Sequence, residues 1–313
     1  MRERRAFAER TKVLKSNEAK RKFFLVYEGD KTEAIYFDAV NHLRSQIAIN
    51  PLIELVPLMR SYSEQGWSNP QKILERLISE IEAEKAGNIC CETLLNRIMD
   101  YFIEVGIDNS TSKKIIWNRL VTICKNHFEY APEAVVANVP DTCKTIIEDL
   151  RKQFSLPGIV EDISTAIIND GIGFEDGFDK ICLIVDRDRN SFTENQYDLV
   201  LSKCAEKKIG FFVTNPCFEF WLLLHFDEGR NLDMDKLREN PRVTASKRYV
   251  EAELKKLFPH YSKNAYDAGE FVKNVDIAIA NEQAYCEDVN LLKDQVGSNV
   301  GKLITCLRED YRT

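Results

Sequence analysis

Acidic residues close two hydrophobic runs of this chain. Phe23-Phe24-Leu25-Val26-Tyr27 ends in Glu28-Gly29, and Ile181-Cys182-Leu183-Ile184-Val185 ends in Asp186-Arg187-Asp188. Short apolar runs rich in β-formers and bounded by breakers read as buried parallel strands. In an open α/β sheet, chemistry gathers at the carboxyl ends of the strands. If the two runs are neighbouring strands, Glu28, Asp186 and Asp188 converge on one point. Carboxylates so placed repel each other unless a proton or a cation intervenes. Hard cations such as Mg²⁺ or Mn²⁺ take oxygen ligands of this kind. The pattern therefore predicts a metal site and, with it, phosphate chemistry. In extended chain residues i and i+2 face one side, so Arg187 should turn away, toward sheet packing or a structural ion pair. Gly29 leaves room for a phosphate to approach and allows φ > 0. The plainer alternatives are a Glu28 that caps the next helix and an Asp pair that merely closes an acidic loop.

The elements that must position these groups can be read along the chain. After the first strand, Thr32 can cap a helix reaching about Gln46, with Ile35, Phe37, Val40 and Leu43 inward. Ile53 to Leu58 reads as a second strand. Pro70 suits the first turn of a helix running to about Glu84. Residues 85–177 then carry helical apolar spacing: Leu94, Leu95, Ile98, Met99 and Phe102, then Ile115, Ile116, Leu120 and Ile123, then Thr145 to Phe154 and Ile159 to Ile168. A structureless loop of that length would be rare in a compact domain, so this is a helical insertion. Its expected role is a structural cap or an oligomer surface, the latter making the protein a homo-oligomer, in preference to a catalytic role. A third strand spans Lys180 to Val185 and a helix runs from Glu194 to Lys207. A fourth strand spans Gly210 to Thr214, and the next helix runs from Cys217 to Phe226. Strand–helix alternation demands a parallel sheet. The predicted organisation is a basic arm (1–21), an α/β core in two parts (22–84 and 178–228), the insertion (85–177) and a helical C-terminal extension (229–313).

Further candidates lie beside that core. Glu219, among Phe218, Phe220 and Trp221, should not be buried without a partner. It either completes a second metal position, in which two ions about 3.5–4 Å apart would stabilise an in-line displacement, or sits at a helix start favoured by the macrodipole. Asn215 orients a carboxylate or simply starts that helix. His225 is an accessory group or a satisfied core histidine. Lys263 stabilises phosphoryl charge or is a surface lysine. Arg4, Arg5, Lys20, Lys22 and Lys31 belong to a basic N-terminal stretch, either solvated or contacting nucleic-acid phosphates.

Net charge is −7, which argues against a broad nucleic-acid-binding face but not against a local basic track. The nine cysteines include no Cys-x-x-Cys pair, and no apolar run approaches the ~20 residues of a membrane span. The start lacks the apolar core of a secretory signal. These features predict a cytoplasmic protein with reduced cysteines and no membrane contact.

The spacing of Glu28 and Asp186-Arg187-Asp188 resembles the Toprim domain of topoisomerases, primases and OLD-type nucleases, in which a strand-ending Glu and a later Asp-x-Asp hold the metal. The resemblance sharpens to the RloB family of defence-associated proteins. It is carried by Glu28-Gly29-Asp30-Lys31-Thr32-Glu33 with Tyr36-Phe37, by Asp186-Arg187-Asp188, and by Thr214-Asn215-Pro216-Cys217-Phe218-Glu219-Phe220-Trp221 running to His225-Phe226. Tyr261-Ser262-Lys263 and Gly297-Ser298-Asn299-Val300 stand where the family has a Tyr-x-Lys and a Pro-Ser-Thr-like turn, with Gly297 in place of Pro and Asn299 in place of Thr.

The resemblance implies a Toprim-like core and a Mg²⁺-dependent endonuclease acting on DNA or RNA in anti-phage defence. Glu28, Asp186, Asp188 and Lys263 would be its catalytic residues. Glu28, Asp186 and Asp188 would hold the metal with Glu219 as accessory ligand, and Gly29, Thr32, Glu33, Asn215 and His225 would support them. It also implies a partner ATPase of the ABC, SMC-like or AAA type, since Gly-x-x-x-x-Gly-Lys-Ser/Thr is absent from the chain. The competing reading is a non-catalytic Toprim module that binds nucleic acid or nucleotide and a protein partner. A topoisomerase would need a separate Tyr-bearing domain, which nothing in the sequence resembles.

Overall fold

The apolar run Arg21–Tyr27 forms β1, and all but its first residue are buried. A strand covered on both faces needs no polar alternation, which is why the run is nearly continuous. The computed structural model describes residues 20–29, 31–58, 69–86, 88–104, 113–128, 131, 133–152, 174–189, 191–245 and 247–309. Arg4, Arg5, Asp30 and the stretch Ile159 to Ile168 lie outside them.

The chain divides into two compact units, a helical one made mainly of residues 72–175 and an α/β one made mainly of residues 12–59 and 176–313. In chain order the elements are α1 (Thr32–His42), β2 (Ile53–Leu58), α2 (Pro70–Lys85), α3 (Cys91–Glu104), α4 (Lys113–His127), α5 (Val139–Arg151), β3 (Lys180–Asp186), α6 (Glu194–Lys207), β4 (Gly210–Asn215) and α7 (Phe218–Leu223). The C-terminal part adds α8 (Met234–Glu239), α9 (Tyr249–Leu257), α10 (Ala268–Val272), α11 (Val275–Glu282), β5 (Gly297–Ser298) and α12 (Val300–Arg308). Among the described residues no helix is long and apolar enough to cross a membrane.

In the helical unit, α3, α4 and α5 bury the predicted face of Leu94, Leu95, Ile98, Met99 and Phe102 against Trp117, Leu120, Ile123, Ile146 and Leu150. Ile115, expected inward, is exposed instead, because Ile116 and Trp117 fill the core at that turn. Helix α5 starts earlier than the Thr145 expected. Asn138 caps it by accepting from the Asp141 N–H at 3.1 Å, with Pro140 in the first turn. No strand interrupts these helices among the described residues beyond an isolated bridge between Cys90 and Val135.

The α/β unit holds one five-stranded sheet in the order β2-β1-β3-β4-β5. The first four strands are parallel, with Tyr27 paired to Ile184 and Asp186 to Thr214. The ends of β1, β3 and β4 therefore meet at one edge. The sheet is not wholly parallel as expected, since β5 pairs antiparallel to β4. Two residues were too few to show a strand period. Gly297 is there because a Cβ would lie 1.9 Å from the Cys286 carbonyl oxygen. Asn299 prolongs the strand with its amide, accepting from the Val213 N–H at 2.6 Å and donating to the Phe211 carbonyl at 3.0 Å. The C-terminal helices share the sheet's core: Phe271, Val300, Leu303, Ile304 and Leu307 join Phe23, Leu25, Tyr36 and Trp221.

Helix α1 ends at His42, short of the Gln46 expected, and is not capped by Thr32. Thr32 is its first residue, and its hydroxyl instead donates to the Lys263 carbonyl at 3.3 Å. His225 belongs to the core. Its Nδ1 lies 2.9 Å from the Trp221 carbonyl and its Nε2 2.9 Å from the Tyr36 hydroxyl. A carbonyl can only accept, so Nδ1 carries the proton and Nε2 accepts from Tyr36. The imidazole thus ties α7 to α1. Burial holds its pKa down to about 3, against the opposing pull of the Trp221 and Leu222 carbonyls. The unfolded chain gains a proton near pH 6.5 and the folded chain only near pH 3, so stability falls across that window as pH drops. Replacing His225 with Phe should lower the melting temperature at pH 7, because it orphans the Tyr36 hydroxyl. It should also flatten the melting-temperature-versus-pH curve between about pH 6 and pH 4, followed by circular dichroism. An unchanged slope would show that His225 titrates freely.

Candidate active site

Parallel pairing of β1 with β3 sets Glu28 beside Asp186. The Glu28 N–H donates to the Ile184 carbonyl at 3.0 Å, continuing the ladder one residue past β1. Its side chain crosses to β3, where Oε2 accepts from the Asp186 N–H at 2.9 Å. Asp186 ends β3, and its Oδ1 accepts from the Thr214 hydroxyl on β4 at 2.9 Å. Three adjacent strands thus each contribute one group to a single edge.

Glu33, buried in the first turn of α1, accepts from the Gly29 N–H at 3.3 Å. A Cβ on Gly29 would lie 2.1 Å from Glu33 Oε2, so glycine is required by the close approach of this carboxylate. Its φ is not in the left-handed region, so the glycine is needed for space and not for its backbone freedom.

Four carboxylates act on one another here. Burial is the first cause that pushes Asp186 well above its usual range, followed by the charges of Glu33, Glu28 and Glu219, with the Thr214 hydroxyl opposing. Asp188 lies past the strand end, half-buried, and lines a cavity of about 870 Å³ together with Asp186 and Glu219. Arg187 turns away as alternation requires. It is buried against the rings of Phe192 and Tyr197 and donates from Nε to the Lys293 carbonyl at 2.9 Å.

Glu219 is buried and does have a partner. Lys263 Nζ lies 2.8 Å from its Oε1, and the Tyr261 hydroxyl donates to the same oxygen at 3.1 Å. Burial raises the Glu219 pKa, but the charge and hydrogen bond of Lys263 outweigh it and hold the carboxyl below its ordinary value. Burial works against the Lys263 ammonium too, and Glu219 more than offsets it, keeping Lys263 above its ordinary value. The pair therefore favours the fold between the unfolded pKa values of a Glu and a Lys, and fades outside that window.

Asn215 is buried, and its Nδ2 donates to the Leu292 carbonyl at 2.7 Å. Its Oδ1 has no hydrogen-bond partner among the described residues. Thr214 and Tyr261 had no assigned role in the sequence. For Tyr261 the available signal was its two-residue spacing from Lys263; for Thr214 there was none, because its contact depends on the β3–β4 register.

Other expected residues stand elsewhere. Lys22 is buried near the opposite end of β1, where its N–H donates to Asp179 and its ammonium lies over Phe24. It sits six residues, roughly 20 Å of strand, from Glu28. Lys20 precedes that same end. Lys31 is exposed and lines a smaller cavity of about 210 Å³ with Glu33, Asp186 and Lys263.

The donor set of Glu28, Asp186 and Asp188 with the Asn215 oxygen is all hard oxygen, which suits Mg²⁺ or Mn²⁺ and not a thiophilic metal. Among the described residues no three His, Cys, Asp or Glu side chains are gathered as a formed metal-binding group. Glu28 rests on a backbone N–H, Asp186 on Thr214 and Glu219 on Lys263.

A family model described as RloB-like protein matches residues 23–307. No curated protein matches the chain, and no solved structure matches it.

Asp186 should cost the metal-free fold stability. An aspartate with a raised folded pKa is neutral in both states below the unfolded value near 4. It then opposes folding increasingly as pH rises toward the folded pKa. Asp186→Asn keeps an acceptor for Thr214 and removes the charge. In EDTA it should melt above wild type at pH 7, and the gap should close as pH falls toward 4. A lower melting temperature at pH 7 would mean that the charge is already compensated.

Proposed function

Because this chain belongs to the RloB-like protein family, we propose that it is a metal-dependent nuclease built on a Toprim-like core, hydrolysing phosphodiesters of DNA or RNA in anti-phage defence under the control of a partner ATPase. The observation that supports this reading most is the contact of Glu28 with the Asp186 backbone at the end of the sheet. It brings carboxylates 158 residues apart in sequence to one edge, next to a large open cavity.

Glu28, Asp186 and Asp188 would hold Mg²⁺ or Mn²⁺, which when bound polarises a phosphoryl oxygen and supplies a nucleophile near neutral pH. Thr214 fixes the Asp186 carboxylate through its hydroxyl, as an orienting partner does for a ligand. Glu28 is positioned by the Asp186 N–H that it accepts, where it would act as ligand or as proton acceptor. Lys263, kept charged by Glu219, faces the same cavity and can stabilise charge developing on the phosphoryl group. Glu219 serves first to place that ammonium. It acts as an accessory ligand only by loosening its hold on Lys263.

The second reading is a non-catalytic module that binds nucleic acid or nucleotide and a protein partner. The Glu219–Lys263 pair favours it, because it neutralises one carboxylate of the cluster without any cation.

Glu28→Gln separates the two. The swap keeps shape and removes charge. With Mg²⁺ and the partner ATPase present, cleavage of plasmid DNA or total tRNA should fall on the order of 10²-fold or more. Calorimetry with Mn²⁺ should show binding to wild type and a large loss in Asp186→Ala. Near-wild-type cleavage by Glu28→Gln, or equal Mn²⁺ affinity in the two proteins, would shift the assignment to the binding module.

A further inference from the structure

The large cavity beside Asp186 and Asp188 has a second wall from the C-terminal part of the chain, and that wall is basic. Arg238, Arg242, Lys247, Arg248 and Lys255 all line it, against Glu239 and Glu251 from the same elements. This is a local reversal of sign in a chain of net charge −7.

The loop between α8 and α9 that carries three of these cations is held by hydrogen bonds among its described residues. Arg242 and Arg248 bridge antiparallel, the Val243 N–H donates to the Lys247 carbonyl at 3.0 Å, and the Lys247 N–H donates to Thr244 Oγ1 at 3.0 Å. At its base Asn240 adopts a left-handed φ of 39°, accepts from the Val250 N–H at 3.1 Å, and lies 3.9 Å from Cys217 Sγ beside the acidic cluster. The backbone thus holds the loop at the mouth of the site.

The cations differ in what they do. Arg238 faces Asp235 at 3.7 Å, and Arg248 donates to the Asn240 carbonyl at 3.2 Å. The side chains of Arg242, Lys247 and Lys255 make no hydrogen bond or ion pair among the described residues, and each is at least partly exposed. Cations without side-chain partners among the described residues, on a rim facing an acidic centre, are what a polyanion needs. The rim neutralises its backbone, while the carboxylates, which would repel it, are left for the one phosphate that reaches them.

We infer that Arg242, Lys247 and Lys255 form a phosphate-backbone grip for the nucleic acid, replacing the N-terminal lysines Lys20 and Lys22 in that role. The inference rests on the reading of this site as one that takes nucleic acid. It concerns binding, not cleavage, so it is tested without metal.

The test is fluorescence anisotropy of a labelled oligonucleotide, single-stranded and duplex, in EDTA over a salt series. Three proteins are compared: wild type, the triple variant Arg242→Gln, Lys247→Gln, Lys255→Gln, and a control triple Lys236→Gln, Lys256→Gln, Lys273→Gln. The control removes the same charge from exposed lysines that are paired to Asp233, Glu253 and Glu270. The rim triple should bind more weakly, and its log K against log salt slope should be shallower by about two to three. The control should keep the wild-type slope. All substituted side chains are at the surface, and melting temperatures near wild type confirm folding. The single variant Lys255→Gln, in the last turn of α9, should account for about one unit of slope or somewhat less.

Equal slopes for wild type and the rim triple would overturn the grip. So would an equal loss in the control, which would make the effect one of net charge, or a mononucleotide binding as tightly as the oligonucleotide. Failure of the nuclease reading looks different: Glu28→Gln would cleave like wild type while the rim triple still lost its salt slope.

Discussion

The parallel pairing of β1 with β3 is the constraint on which the site depends. The register of Tyr27 with Ile184 leaves Glu28 one step past one strand end and Asp186 at the other, so a side chain can bridge to a backbone N–H across the gap. A register slip of one residue would turn these groups to opposite faces, because side chains alternate along a strand. The apolar runs protect against slippage. Phe23, Leu25 and Tyr27 pack with Tyr36, Phe37 and Ile184 in a core that a slip would expose. The chemistry at the edge is therefore held in place by hydrophobic burial in the middle.

The electrostatics of that edge are not relaxed. Asp186 is half-buried near Glu28, Glu33 and Glu219, and loss of solvent and like charge both push its proton affinity up. Glu219 has found relief in Lys263 and Tyr261, and Asp186 has one hydroxyl. A fold that keeps a strained carboxylate cluster at one edge while pairing nearly everything around it has the pattern of a functional site. The buried Arg187 shows the contrast. It lies next to Asp186 in sequence, yet it is spent on carbonyls and aromatic rings and serves the scaffold.

The C-terminal part of the chain completes the edge that carries the candidate site. Its helices share the sheet's core through Phe271, Val300 and Leu303. Its loops deliver Tyr261 and Lys263 to Glu219, and Tyr266 donates to the Thr32 carbonyl at 2.8 Å. Thr32 in turn donates to the Lys263 carbonyl, so the start of α1 and the lysine loop are fastened to each other. The hydroxyl that looked like a helix cap does this instead, because Thr32 is the first residue of α1 and not the residue before it, where a capping side chain sits.

By itself the sequence determined the strands and the carboxylates. Continuous apolar runs ending in Glu28 and Asp186 can hardly be anything but buried strands with acids at their ends, and the 3.6-residue spacing of Leu94, Leu95, Ile98, Met99 and Phe102 announced a helix. These are local signals, written in neighbours along the chain. The partners were decided only by the tertiary structure. That Lys263 answers Glu219, that Thr214 holds Asp186, and that His225 ties Tyr36 to the core are contacts between residues far apart in sequence, for which no local period exists. The same holds for Lys22, whose charge suggested a ligand contact until its strand position buried it at the wrong end. A residue's type sets which bonds it can make, and the packing of distant segments sets which of them it does make.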